Sequence, residues 1–468
     1  MATMHDKAFF ADKDLTILGQ LYGQGNGAAF NEELCVLHGS RFGGSPQEQA
    51  AAVYLKDKFL EYGLDNAWLE GFETHYWRRK HTSLQVVVPT TGEEVDCIAL
   101  PNCPPGEVEG ELVYIGDGDP QSYADNADKI KGSIVMVSTA NPAFFHRGMH
   151  RGEKLGRAVL AGAAGFIWMR GEGGGLPETG SARFGALAEI PVISISLEAG
   201  MALMRKSRQG KVILKITSDN DCVPVTSYNV IGEIKGSECP DEIIVVGGHY
   251  DGHDISEAAV DNGSGIAVTW EAARALAKLK GQLKRTIRFV GFAQEEMGLL
   301  GSDAYVKAHH DEKIVFMLNL DVAGGGMNGR FSLQGWSEDL AWLKQLFSSM
   351  GEGHIRIGDA MSTYSDMYHF AAAGFPAGSY ASSNPSNNGG APRGYGHTYW
   401  DTIDKINPRA IQLDSIMVAR FLMRLALLDS LPFKKKEPIE MTKKLQERGY
   451  EEVMAYENRL LPHEVWPK

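Results

Sequence analysis

The chain has 468 residues, 43% of them hydrophobic and 22% charged, with a formal net charge of -13. That length exceeds one ordinary domain, and the composition is that of a folded globular protein. An acidic chain lacks the clustered Lys and Arg that phosphate binding needs, so neither nucleic acid nor an anionic membrane is expected as a partner.

The first residues, MATMHDKAFFADKDLTILGQ, show no basic segment, apolar core and small-residue cleavage site of a secretory leader, and no run of about 18 apolar residues follows. The cysteines, Cys35, Cys97, Cys103, Cys222 and Cys239, are odd in number, scattered and free of CxxC spacing. The expectation is a reduced, cytoplasmic protein without a membrane span, or a secreted one if a leader has been removed.

In chain order, Leu15 to Leu64 reads as helices around a turn. GSRFGGSPQEQAAAVYLKDKFLEYGL puts Ser45-Pro46 at a helix start, Ala51, Tyr54, Leu55, Phe59 and Tyr62 at helical spacing, and Gly63 at the stop. HTSLQVVVP then reads as a strand. From about Thr90 the texture shifts to short strands and Gly-rich turns: GELVYIGDGDP, KGSIVMVST, EIPVISISLEAG and KVILKITSD. Among them MHRGEKLGRAVLAGAAGFIWMR is a small-residue helix running into a strand. Residues 93–219 are expected to form an inserted β-rich module between two parts of one domain, 1–92 and 220–432. His146 and His150, four apart inside the module, are read as surface residues rather than metal ligands.

From Ser227 strands and helices alternate. YNVIGEI, IIVVGG, TIRFVGFA, VFMLNLDVAGGG and GFPAGSYAS read as strands, and IAVTWEAARALAKL as a helix with Ile266, Trp270, Ala273 and Leu276 near one face. The alternation predicts a three-layer α/β sandwich with a mostly parallel mixed sheet. The charged tail, 433–468, is expected to be a peripheral helix, with Leu445, Val453, Tyr456 and Leu460 at loose helical spacing. A homodimer contact through it stays open.

Polar residues gather where the strands end. His249, Tyr250 and Asp251 follow IIVVGG, Asp261 opens DNGSG ten residues beyond Asp251, and Ser264 is placed to cap the next helix. Glu295 and Glu296 follow TIRFVGFA, Asp321 closes VFMLNLD, and His397 stands in HTYWDTIDKI. A lone Asp after a strand is usually a cap, and a lone EE pair a solvated face. Together they put two histidines and several carboxylates at carboxyl strand ends, where open α/β sheets hold their ligands. Nitrogen and oxygen donors of this kind suit Zn²⁺, and no cysteine stands by to close a structural site. A carboxylate bridging two cations, with another carboxylate left as general base, equips a site for hydrolysis.

The order HxD, DNGSG, EE, NLD and HT…DT, with GSRFGGS, SYNVIGEIKGSECPDEIIVVGGHYD and GLLGSDAYV, resembles the co-catalytic zinc aminopeptidase and glutamate-carboxypeptidase family. DKIKGSIVMV, GAAGFIWM and IPVISIS resemble the protease-associated domain that many members carry. The resemblance implies a phosphorylase/hydrolase-like zinc-exopeptidase fold. It also implies two Zn²⁺ per chain, with Co²⁺ or Mn²⁺ as substitutes: Asp261 bridging, His249 and Asp321 completing one site, Glu296 and His397 the other. Glu295 then matches the general base, the nucleophile is a hydroxide held between the zincs, and Asp251 orients the His249 imidazole.

His253 and Asp254 fall outside the family pattern and are read as non-ligands. Tyr364 and Asp366, in STYSDMYHF, match a segment near the family's active site, and Tyr364 is a candidate donor to the oxyanion or substrate. Arg393, four residues before His397, is a candidate for holding a substrate carboxylate. Asp401 is read as a supporting partner of the site. The expected substrate is a peptide or acyl-amino-acid amide, and the expected activity that of an aminopeptidase, with a carboxypeptidase or dipeptidase as the alternative. A glutaminyl cyclase using a single zinc and a non-catalytic binding protein are the rivals outside hydrolysis.

Overall fold

The computed structural model describes residues 6–90, 92–325, 329–382 and 395–466, whose strands form two eight-stranded sheets. In chain order the strands are β1 Asn66–Arg78, β2 Thr82–Val88, β3 Glu93–Val95, β4 Ile98–Ala99, β5 Gly106–Tyr114, β6 Ile134–Ser138, β7 Gly165–Met169 and β8 Val192–Ile195. They continue as β9 Ile213–Ser218, β10 Asp221–Ile234, β11 Cys239–His249, β12 Arg285–Phe292, β13 Ile314–Leu320, β14 Arg330–Leu333, β15 Arg356–Asp359 and β16 Ala377–Ala381.

The first sheet runs β1-β10-β12-β11-β13-β16-β14-β15. Its centre, β12, β11, β13 and β16, is parallel, while β1, β10 and β14 pair antiparallel. Helices on both faces explain why the central strands read as apolar runs; β12 is buried along its whole length. The helices Lys7–Gln24, Gly27–His38, Pro46–Tyr62, Gly265–Leu276 and Pro408–Leu427 share one apolar core with this sheet. Trp270, fully buried, stacks on Phe59 with ring centroids 4.2 Å apart and donates its indole N–H to Leu55 O at 3.0 Å. Truncating a side chain of that size in a close-packed core costs about 3–5 kcal/mol. The mixed, mostly parallel sandwich expected from the strand and helix alternation is the architecture found.

The chain leaves β11 through the helix Gly265–Leu276 to reach β12 on one side, then returns as β13 on the other. Crossovers diverging from one strand leave a crevice at the carboxyl ends of the sheet. That crevice is where His249 emerges.

The second sheet runs β3-β2-β9-β5-β6-β7-β8-β4, antiparallel from β3 to β5 and parallel from β5 to β8. Alternation along IVMVS sends Val135 and Val137 to one apolar core and Ile134 and Met136 to another on the opposite face. This sheet is the inserted module, and it starts earlier than residue 93, because β2 pairs with β9. An alternating strand such as HTSLQVVVP announces two faces but not the sheet it will join. The module hangs from the long antiparallel ladder of β1 with β10, Asn66↔Glu233 to Arg78↔Asp221, where the chain departs and returns.

The tail also departs from expectation. It forms the helices Pro438–Glu447, Tyr450–Tyr456 and Pro462–Val465, which bury Met441, Leu445, Val453 and Met454. Tyr450–Tyr456 packs on the insert's helix Arg151–Leu160 rather than lying on one domain. Among the described residues no helix is long and apolar enough to cross a membrane, and the five cysteines are free thiols.

Candidate metal centre

Three neighbouring parallel strands deliver the candidate donors to one edge: His249 ends β11, Glu295 and Glu296 follow β12, and Asp321 follows β13. Asp261 comes from the turn ahead of Gly265–Leu276, and His397 from the segment ahead of Pro408–Leu427. The fold brings all six together. His249 Nε2 lies 3.3 Å from Asp261 Oδ1 and 3.8 Å from Asp321 Oδ1. His397 Nε2 lies 3.3 Å from Asp261 Oδ2 and 3.3 Å from Glu296 Oε1. The two oxygens of Asp261 thus face two different imidazoles, as a bridging carboxylate requires.

The donors fit zinc. Bonds of about 2.0–2.1 Å in a tetrahedron set neighbouring donor atoms about 3.3 Å apart, a separation met at 3.3 Å on both sides of Asp261 and between His397 and Glu296, with Asp321 farther from His249 at 3.8 Å. Glu296 Oε1 is buried without a hydrogen-bond partner among the described residues, a costly state for a carboxylate unless a cation meets it. His249, Asp261 and Asp321 offer one set of converging atoms, and His253, Glu296 and His397 a second.

A ligating imidazole needs its other nitrogen fixed. His397 Nδ1 lies 3.1 Å from the carbonyl of Thr179 in the insert, and Thr179 N donates back to His397 O at 2.8 Å. His249 Nδ1 lies 3.2 Å from Asp251 O and 3.5 Å from Asp251 Oδ1. The Asp251 carboxylate also accepts the backbone N–H groups of Glu295 and Glu296, at 3.0 and 3.2 Å, and so sets the turn that carries both. Asp401 accepts from Val260 N and Asp261 N at 2.7 and 3.0 Å, placing the bridging residue. Burial, with Asp261 close by, pushes the Asp401 carboxyl up to about 7.

Asn262 ties the strand ends to one another. Its Nδ2 donates to His249 O and Leu320 O, and its Oδ1 accepts from Val322 N and Gly265 N. Asn262 therefore caps the helix that Ser264 was expected to cap. Ser264 already has helical dihedrals, φ -66 and ψ -44, and its hydroxyl turns back to Val260 O at 2.7 Å.

Burial raises Glu295 well above the usual carboxylate range; the opposing pull of His249 is offset by Glu296 and Asp321. Burial acts on Glu296 too, but His253 and His397 outweigh it and hold that carboxyl well below the range. One glutamate is thus poised to accept a proton and its neighbour to remain an anion.

A cavity of about 300 Å³ opens over these groups, and His150, Arg151 and Tyr364 line it as well. Tyr364 lines it, but its hydroxyl donates to Glu457 of the tail at 3.1 Å. Asp366 is buried, and burial, opposed by His249, pushes it up to about 7. Arg393 lies outside the described residues. His253, read as a bystander, stands 2.8 Å from Glu296 Oε2 with its ring edge against His397. The spacing His249-x-x-x-His253 was the available signal. Ser365, whose Oγ donates to Asp321 Oδ2 at 2.7 Å, and Thr179 carried none.

A mostly parallel α/β sheet whose switch-point crevice gathers histidines and carboxylates at zinc-compatible spacing is a framework suited to holding divalent metal. Residues 229–422 match Peptidase family M28, and residues 108–203 match the PA domain. All six candidate donors fall within the segment that matches the M28 model, and the PA match falls within the second sheet. It is 25% identical over 295 residues to carboxypeptidase Q of Mus musculus, covering 61% of this chain and 62% of that relative, so it spans about three-fifths of the relative's length. The fold is similar to a Peptidase M28 precursor from Shewanella amazonensis, with TM-score 0.77 and 24% identity over 92% of this chain and 100% of the other. It is similar also to BSAP, a zinc aminopeptidase from Bacillus subtilis, with TM-score 0.66 and 22% identity over 88% and 98% of the two chains.

Proposed function

We propose that the protein is a di-zinc exopeptidase that hydrolyses a terminal peptide bond. The observation that carries this is Asp261, whose two oxygens each lie 3.3 Å from a different imidazole, in a cavity that Glu295 also lines. In this reading Asp261 would be shared by two Zn²⁺, with His249 and Asp321 holding one and Glu296 and His397 the other. Bound zinc would polarise the scissile carbonyl and acidify water. Glu295 takes the proton from the attacking water and passes it to the leaving nitrogen, a role that its raised proton affinity suits. Asp251 holds the Glu295 backbone for that transfer, and Thr179 and Asp401 hold His397 and Asp261 in place.

The match to the M28 model supports a peptide or acyl-amino-acid substrate, and the leucine aminopeptidase among the similar proteins makes release from the amino end the first reading. Carboxypeptidase or dipeptidase activity has an observation of its own. Arg151 of the insert lines the same cavity, its Nε donating to Ser181 O at 2.7 Å, and a guanidinium there suits a substrate carboxylate. Elemental analysis, paired with a panel of amino-acid amides, free dipeptides and amino-blocked dipeptides, tests both. About two zincs per chain with cleavage of free-amine amides is expected. Cleavage of amino-blocked dipeptides alone would select the carboxypeptidase, and no stoichiometric metal with no cleavage after zinc is supplied would overturn the proposal.

A further inference from the structure

One buried acid of the C-terminal tail stands behind two residues that line the candidate site's cavity. Glu457 is 1% exposed; its Oε1 accepts the Tyr364 hydroxyl at 3.1 Å and lies 3.2 Å from His150 Nδ1, while its Oε2 accepts from Arg459 at 3.2 Å. Tyr364 and His150 stack with ring centroids 4.2 Å apart, and both line the cavity that the candidate metal donors also line. The PA insert, the catalytic domain and the tail therefore meet at a single carboxylate.

The approach is built into the insert's helix Arg151–Leu160. Gly152 and Gly156 stand one turn apart on it: a Cβ at Gly156 would lie 2.1 Å from Tyr456 O, and one at Gly152 3.2 Å from Glu457 Oε1. Arg183 donates to Tyr456 O at 2.9 Å, and Arg157 lies 4.0 Å over the Tyr456 ring. Burial by itself would raise the Glu457 carboxyl, but His150 and Arg459 outweigh it and lower it. The Tyr364 hydroxyl, buried beside that charge, is raised well above its ordinary range and stays a donor. Contacts through Tyr456 and Arg183 already bolt the tail to the insert. The contact of Glu457 with Tyr364 and His150 behind the cavity wall is a separate feature.

We infer that Glu457 is a positioning residue of the substrate site: the tail fixes the Tyr364–His150 wall and thereby how a substrate is held beside the metal donors. The inference presupposes the exopeptidase activity proposed above. Its test is steady-state hydrolysis of the best panel substrate by the full-length, zinc-loaded protein, with zinc content and Tm measured for each variant. Glu457→Gln keeps an acceptor for Tyr364 and is expected to hold KM within about twofold. Glu457→Leu keeps the bulk but removes the acceptor; KM is expected to rise about tenfold, with kcat within about twofold and zinc unchanged. Tyr364→Phe raises KM similarly, and the double variant raises it no further, because both changes break the same bond. An unchanged KM in Glu457→Leu, or effects that multiply in the double variant, overturns the inference even if Tm falls. If the leucine variant does not fold, Glu457→Asp, which draws the carboxylate back by one methylene, replaces it with the same expectations. A wild type that cleaves no panel member overturns the proposed function, whereas an active wild type with insensitive variants overturns only the role of Glu457.

Discussion

Glu295 and Glu296 are adjacent, chemically identical and driven apart by their surroundings. Glu296 faces two imidazoles, His397 at 3.3 Å and His253 at 2.8 Å, so its negative charge is met. Glu295 shares its burial with Glu296, Asp321 and Asp366, so proton uptake relieves it. The difference gives an asymmetric prediction. Glu295→Gln, which keeps the shape and loses the base, is expected to lower kcat by about 10²–10⁴-fold while two zincs per chain and KM are retained. The same change at Glu296 is expected to reduce the zinc content itself. Elemental analysis of the two variants beside their kinetics decides the matter, and equal zinc loss in both would reverse or erase the assignment. The donors were legible as sequence because a His, an Asp or an EE pair directly after an apolar strand is conspicuous. Which glutamate does what was not, since that depends on the rings a fold places opposite each.

At the scale of elements, the segment after β12 is pinned by a charge cluster away from the metal centre. His309, at the end of the helix Leu300–Ala308, lies 2.9 Å from Glu70 of β1 and 3.2 Å from Glu312, and Glu312 in turn pairs with Arg288 of β12 at 2.6 Å. Burial would lower the His309 imidazole, but Glu312 and Glu70 outweigh it and raise it to about 9. A folded-state value above the unfolded one contributes stability in full below about pH 6.5 and loses it as pH rises through about 9. His309→Gln is therefore expected to cost about 1–2 kcal/mol near pH 6, allowing for solvent screening of a partly exposed pair, and little at pH 10. Thermal melts of variant and wild type across that range are the measurement; a gap that widens with pH would count against it. Element boundaries show the limit of sequence reading. The helix after DNGSG was correctly expected from its apolar spacing, yet its cap is Asn262 rather than Ser264, because a cap depends on dihedrals that spacing does not reveal. Similarly, β2 announced itself as a strand, but its partner β9 lies far along the chain.

Across the whole molecule, the insert is wired to the candidate metal centre rather than appended to it. Thr179 exchanges two hydrogen bonds with His397, and Gly185 N donates to Met297 O directly after the glutamate pair. Pattern reading found the insert but could not dock it, since on the insert's side both contacts run through backbone groups that every residue possesses. The crevice concentrates Asp251, Asp261, Glu296, Asp366 and Asp401 as buried acids, and like charges in a low-dielectric site repel unless cations intervene. Metal that binds only the folded chain stabilises it by mass action, about 4 kcal/mol when free zinc is 1,000 times its Kd. Chelation is thus expected to lower Tm and, through Thr179, to loosen part of the insert as well. Hydrogen exchange on chelated protein should accelerate in peptides spanning 395–401 and also in those spanning 179–185, while β3 at the far edge of the second sheet keeps its protection. If 395–401 alone responds, the insert sits beside the centre without sharing its stability, and the coupling drawn from Thr179 fails. If all three respond alike, the metals support the fold globally, and the local route through His397 is not the one that matters.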